Sequence, residues 1–195
     1  MNKNTLHPAF LTMFTVVPTL LASACSDDAI NYSEPVGISL QFKSSDVVAG
    51  RILIDKNINT ESGNPYGAFV KTAETKIGKA PGRIDVASAT LTVEASSNQV
   101  TRLGEIFTGE CKLGFVLNTG NVPIAVATRT MAEADVAGPV ALTATFDSAA
   151  LDAAQYAQLV AGSFKVSLDC ATNSTFAGKG ATADVKATFT FGAYE

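Results

Sequence analysis

From Thr182 to Phe191 the chain alternates without a break. Ala183, Val185, Ala187, Phe189 and Phe191 fall on one side, and Thr182, Asp184, Lys186, Thr188 and Thr190 fall on the other. A period of two is the repeat of a strand with one buried face, and a slip of one residue would carry every apolar side chain into water. The same repeat runs through Val36, Ile38, Leu40 and Phe42, and through Ala87, Ala89, Leu91 and Val93 within 84–95. It returns in Val140, Leu142, Ala144 and Phe146, and in Phe164, Val166 and Leu168. Further strands are expected over 47–54, 100–107, 111–118 and 122–130, the last two joined by the turn Thr119-Gly120-Asn121. Residues 68–72 are expected to pair briefly. The stretches 55–67 and 76–83, rich in Gly, Pro and Asn, are expected as loops. One helix is expected over 148–161, capped by Asp147 and ended by Gly162. Many short alternating strands at regular spacing predict an all-β fold, an antiparallel β-sandwich with one short helix between late strands.

Upstream of these strands lies a different kind of segment. An apolar run from Pro8 to Ala24 is interrupted by Thr12, Thr15, Pro18 and Thr19. A spanning helix needs about 20 apolar residues, and Pro18 would remove a backbone hydrogen bond from it, so an export signal is expected instead. The run closes on Leu20-Leu21-Ala22-Ser23-Ala24-Cys25. This ending resembles the lipobox of bacterial lipoprotein signal peptides, with Ala22 where that motif usually has Leu. The resemblance implies removal of residues 1–24 and lipidation of Cys25, with 25–35 as a tether and 36–195 as the β-sandwich domain. The other reading of Ala22-x-Ala24 is ordinary signal cleavage and a secreted chain. Ser26 after the cysteine implies sorting to the outer membrane, and Ser26-Asp27-Asp28 is similar to an acidic surface-export signal; a solvated linker accounts for it equally. The order of elements from Arg83 to Tyr194 resembles small Ig-like envelope lipoproteins.

Composition narrows the chemistry. The one histidine is His7, within the signal segment, so the processed chain has none. Histidine triads, Cys-His dyads and histidine metal ligands are thereby excluded. The net charge is −4, and loss of Lys3 makes it −5, which gives no electrostatic footprint for nucleic acid. About 170 residues remain after cleavage, enough for one domain with a core. With Cys25 assigned to lipid, Cys111 and Cys170 are expected to form a disulfide in an oxidising compartment.

Three sets of side chains are candidates for a site. Asp55, Asn57, Asn59 and Glu61 place oxygens at alternate positions, as calcium loops do, although Thr60 and Tyr66 depart from the EF-hand pattern; a polar Asn-rich loop is the other reading. Tyr66 and Phe69, with Tyr32, are aromatics expected in loop or edge regions, where rings can contact a ligand such as a glycan. Asp147 and Asp152 flank the start of the expected helix and serve as caps or as paired carboxylates. Two functions lead at this point, ahead of a hydrolase acting through carboxylates or a metal. One is a non-enzymatic outer-membrane lipoprotein, membrane-bound through its lipid, acting as a structural or interaction module among envelope proteins. The other is a surface lipoprotein that captures a glycan or nutrient beside a transporter.

Overall fold

A computed structural model describes residues 30–117 and 123–195. The lipobox, Cys25, Ser26-Asp27-Asp28 and the turn Thr119-Gly120-Asn121 lie outside the described residues. The strands are β1 (Tyr32–Lys43), β2 (Arg51–Asn57), β3 (Arg83–Val93), β4 (Phe107–Leu117), β5 (Pro123–Met131), β6 (Val140–Ala144), β7 (Phe164–Thr172) and β8 (Thr182–Tyr194). They form one antiparallel sheet in the order β1-β8-β3-β6-β5-β4-β7-β2. The all-β expectation holds at this level.

The best-patterned strand is the most embedded. β8 pairs with β1 along its whole length on one side and with β3 on the other. Its five inward residues, Ala183 to Phe191, are fully buried. The ring of Phe115 on β4 meets those of Phe164 on β7 and Phe189 and Phe191 on β8 at centroid distances of 4.8, 5.5 and 5.9 Å. Strands far apart in the sheet order therefore share one core, and the sheet folds over on itself. Cys111 and Cys170 stand directly opposite each other in the β4–β7 register and are joined by a disulfide. It closes a separation of 59 residues, worth about 4 kcal/mol in the chain-entropy model.

Several expectations need correction. In β3 the inward residues are Ile84 and Val86, then Ala89, Leu91 and Val93, while Ala87 and Ser88 are both exposed. A register shift between Val86 and Ser88 reconciles the two parities, as a β-bulge does. Residues 100–107 form a 3-10 turn at Leu103–Glu105 before β4 starts. The expected helix over 148–161 is two pieces: a 3-10 turn at Ser148–Ala150, where Asp147 accepts from the Ala149 amide, and α2 (Ala153–Val160). Asp152 and Gln155 cap α2 reciprocally, which places the helix start five residues later than expected. A four-residue α3 (Ser174–Ala177) follows β7.

The largest correction is α1 (Pro65–Ile77), where a loop and a brief strand were expected. Asn64 accepts from the Gly67 amide, and Pro65 opens the helix, where its missing N–H costs nothing. Gly78 closes it in the left-handed region at φ 83°, its amide donating to Glu74 O. Tyr66, Phe69, Val70 and Ala73 form the buried stripe, at helical spacing.

Candidate functional site

The ends of the sheet order are β1 and β2, and they approach each other without a ladder between them. Each has one paired side and one free side. Ser44 on the β1 continuation donates to Ala181 O, so even-numbered residues face β8 and odd-numbered ones face the free edge. Thr172 donates to Gly50 O, so in β2 the odd residues again face away from the partner, β7.

Side chains blunt the β1 edge. Lys56 Nζ donates to Ser39 O at 2.8 Å and pairs with Glu61 Oε1 at 2.6 Å. The Ser39 amide donates to the same Glu61 oxygen at 3.0 Å. The Lys43 amide donates to Asp46, and Pro35 has no amide hydrogen to offer. Burial alone would raise the Glu61 carboxyl; the bond from Lys56, the Ser39 amide and the charges of Lys56 and Lys186 outweigh it and hold Glu61 below its ordinary range. Ser39 Oγ donates to Glu94 rather than facing a lysine, so Lys56 is an ion-paired ammonium and not a base for the serine. Ser39, Leu40 and Gln41 face Ile54, Asp55 and Lys56 across a cleft of about 300 Å³.

The β2 edge is treated differently. Val48 bridges to Arg51 at its start, and Thr60 Oγ1 donates to Asn57 O at its end. Between these, among the described residues, Leu53 and Asp55 have no edge-side backbone partner. Leu53 and Val48 are also 68% and 75% exposed. They line a second cleft, of about 550 Å³, with Asp46, Arg51 and Asp169, in which Arg51 Nε bonds Asp169 at 2.8 Å. Leu53 and Asp169 continue into a narrower groove floored by Gly114 and Ser167. A Cβ on Gly114 would stand 2.7 Å from Ser167 Oγ and 3.1 Å from Ile124 O, so only glycine lets the three strands lie this close.

Of the four candidate calcium ligands, two lie on a strand and two are taken by other partners. Asp55 and Asn57 lie on β2 rather than in a loop, because strand pairing with β7 extends to Lys165. Asn59 donates to Gly162 O at 2.7 Å, and Glu61 is held by Lys56 and Ser39. Tyr66 and Phe69 are fully buried on α1, and the Tyr66 hydroxyl donates to Leu159 O at 2.9 Å. Their rings pack on Phe164 and Phe191, so neither presents a face to a ligand. Tyr32 stacks on Phe69.

One carboxylate pair was not foreseen. Asp85 on β3 and Asp147 form an isolated antiparallel bridge, and the Ser148 amide donates to Asp85 at 3.3 Å. Burial, then the charge and hydrogen bond of Asp147, raise the Asp85 carboxyl against the Ser148 amide and the Arg83 guanidinium, 3.0 Å away. Tyr156, in the same corner, is pushed up to about 12 by burial and by the Asp85 charge, and its hydroxyl donates to Pro81 O. None of the clefts described above opens on this pair. Its contacts tie the 147–152 turn to β3.

No known protein-family model, characterised protein or solved structure matches this chain. The sequence signal for the β2 edge was the run Ile52-Leu53-Ile54, apolar on both faces, which a strand buried on one side does not need.

Proposed function

We propose that this protein is a lipid-anchored module of the bacterial cell envelope, held at the outer membrane through Cys25, that works by binding protein partners and not by catalysis. The observation that carries the reading is the contrast between the two sheet edges. Exposed edges template further strands, and natural proteins cover or charge those that must stay unpaired. Here β1 is capped by Lys56, Glu61 and Asp46, whereas β2 keeps free backbone groups at Leu53 and Asp55 beside two exposed aliphatic side chains. Main-chain bonds from an added extended segment supply affinity in such a site, and the flanking pockets supply selectivity. In this reading the domain is an Ig-like β-sandwich. The thin join of β5 to β6, two residue pairs long, and the side-chain bridge between β1 and β2 support two packed sheets over a closed barrel. The alternative of ligand capture by exposed aromatics loses its two residues to the core.

A photoreactive phenylalanine at position 53, installed in cells that make the full chain, tests the edge. Covalent protein adducts are expected at position 53 and not at exposed Lys71 on α1. Absence of adducts at 53 would overturn the reading. Palmitate incorporation that vanishes in Cys25→Ala tests the anchor separately.

A further inference from the structure

The end of the domain that leads to Cys25 can be followed contact by contact. The Asn31 amide donates to Ala193 O, and Asn31 Oδ1 accepts from the Glu195 amide at 2.7 Å. Lys79 pairs with Glu195 at 3.1 Å, the Gly82 amide donates to Tyr194 O, and the Arg83 guanidinium lies 3.8 Å over the Tyr194 ring. Lys76 lies 6.0 Å over the ring of Tyr32. This end of the domain therefore carries Ile30, Tyr32, Lys76, Lys79 and Arg83, with Tyr194 buried beneath the Arg83 guanidinium. Ile30, a large apolar side chain, is 46% exposed at this end, its Cδ1 close to Gly192, and Lys76 and Lys79 are exposed at the same end.

Only six residues separate Cys25 from Tyr32. Even a fully extended chain spans at most about 3.6 Å per residue, so a lipid on Cys25 confines the start of β1 to roughly 25 Å from the bilayer surface. The opposite end of β1, Lys43, is eleven residues further, about 37 Å along the strand. From this we infer that the Ile30 end of the domain is a membrane-docking face, seated on anionic phospholipid. This rests on the lipid-anchor reading of Cys25. Ile30 enters the interfacial region, Tyr32 lies at headgroup depth, and Lys76 and Lys79 meet the phosphates. The domain then stands on this end. Val136, 58% exposed, lies at the far end of β3, where Ala137 O accepts from the Val93 amide. It points away from the bilayer, and the start of β2 is carried clear of the surface with it.

The chain has no tryptophan, so single-tryptophan variants report without background. The full lipidated chain would be reconstituted into vesicles of phosphatidylethanolamine and phosphatidylglycerol containing brominated acyl chains. Ile30→Trp is expected to show a blue-shifted, bromine-quenched emission, and Val136→Trp an unquenched one. Replacing phosphatidylglycerol with phosphatidylcholine, or adding Lys76→Gln and Lys79→Gln, should reduce the quenching in Ile30→Trp at least twofold. Equal absence of quenching at both positions on vesicle-bound protein would overturn docking, as would quenching at 136. Quenching in Ile30→Trp that ignores both lipid charge and the lysines would overturn the assignment of anionic headgroups. Flotation of Cys25→Ala beside the parent chain separates these results from failure of the anchor. If the parent does not float, both the anchor and the docking face fall; if it floats unquenched, only the docking face does.

Discussion

Replacing Phe69 with alanine probes the element whose sequence was most misleading. The side chain is fully buried, with ring centroids 5.5 Å from Phe191, 5.9 Å from Tyr66 and 5.9 Å from Tyr32. Truncating a buried phenylalanine costs about 3–5 kcal/mol through lost transfer free energy and the cavity left behind. The walls of this cavity belong to β1, β8 and α1 itself, three elements fixed by their own ladders or caps, so relaxation into it is limited and about 4 kcal/mol is expected. That is a large share of the roughly 5–15 kcal/mol by which domains are stable. Urea unfolding followed by far-ultraviolet circular dichroism measures it without an intrinsic tryptophan. With a slope of about 2 kcal/mol/M the midpoint falls by about 2 M at unchanged slope. Lys71→Ala, on the exposed side of the same helix, should stay within about 0.5 kcal/mol of the parent. If Phe69→Ala left the midpoint where Lys71→Ala leaves it, the ring would not be in the core and the packing of α1 described above would be wrong.

Two further outcomes follow from the same structure. Replacing both Cys111 and Cys170 with alanine should cost about 4 kcal/mol from loop closure over the 59-residue separation, with added loss from the vacated core volume, read as a lower thermal midpoint; thiol alkylation of unreduced parent protein at either cysteine would contradict the pairing. Glu61→Gln should weaken the β1–β2 bridge by about 1 kcal/mol at neutral pH, since the Lys56 pair is partly exposed. The folded carboxyl lies below its ordinary value of 4.5, so its contribution is present above 4.5 and is lost as pH falls through the lower folded value. The stability gap between parent and variant should therefore close in acid, and a gap that widened there would refute the assignment.

What the sequence revealed and what it hid have separate physical causes. β8 was legible because its inward face is buried for its whole length and its outward face is polar, so pattern and burial coincide. β3 was half legible: its two parities, Ile84 and Val86 against Ala89 and Leu91, are both in the sequence, but only a bulge lets both be inward. α1 was hidden by its own start signal. Gly63-Asn64-Pro65 suits a turn as well as a helix entry, and the choice lies in Tyr66, Phe69, Val70 and Ala73 three and four residues apart. The bridge from Lys56 to Ser39 could not be read at all. It joins residues 17 apart that meet only because the sheet brings its two ends together. Asp85 and Asp147, 62 positions apart, meet for the same kind of reason.

These elements together explain why α1 matters to the edges as well as to the core. Among the described residues, backbone ladders join the β1-β8-β3 half to the β4-β7-β2 half only through β6, with three residue pairs to β3 and two to β5. On the opposite side the Lys56 and Glu61 side chains join the halves through the backbone of Ser39. α1 follows β2 in the chain and precedes β3, and its rings contact β7 on one side and β1 and β8 on the other. Aromatic packing thus does on this side what a ladder does on the other. Loosening α1 should free β2 from β1 and fray its ladder to β7 before it unfolds β8, because β8 is paired on both sides and β2 on one. Amide exchange in Phe69→Ala would then accelerate at Ile52 and Ile54 more than at Val185 and Ala187. Uniform acceleration would mean that the two halves open as one unit and that the helix is not what holds the seam.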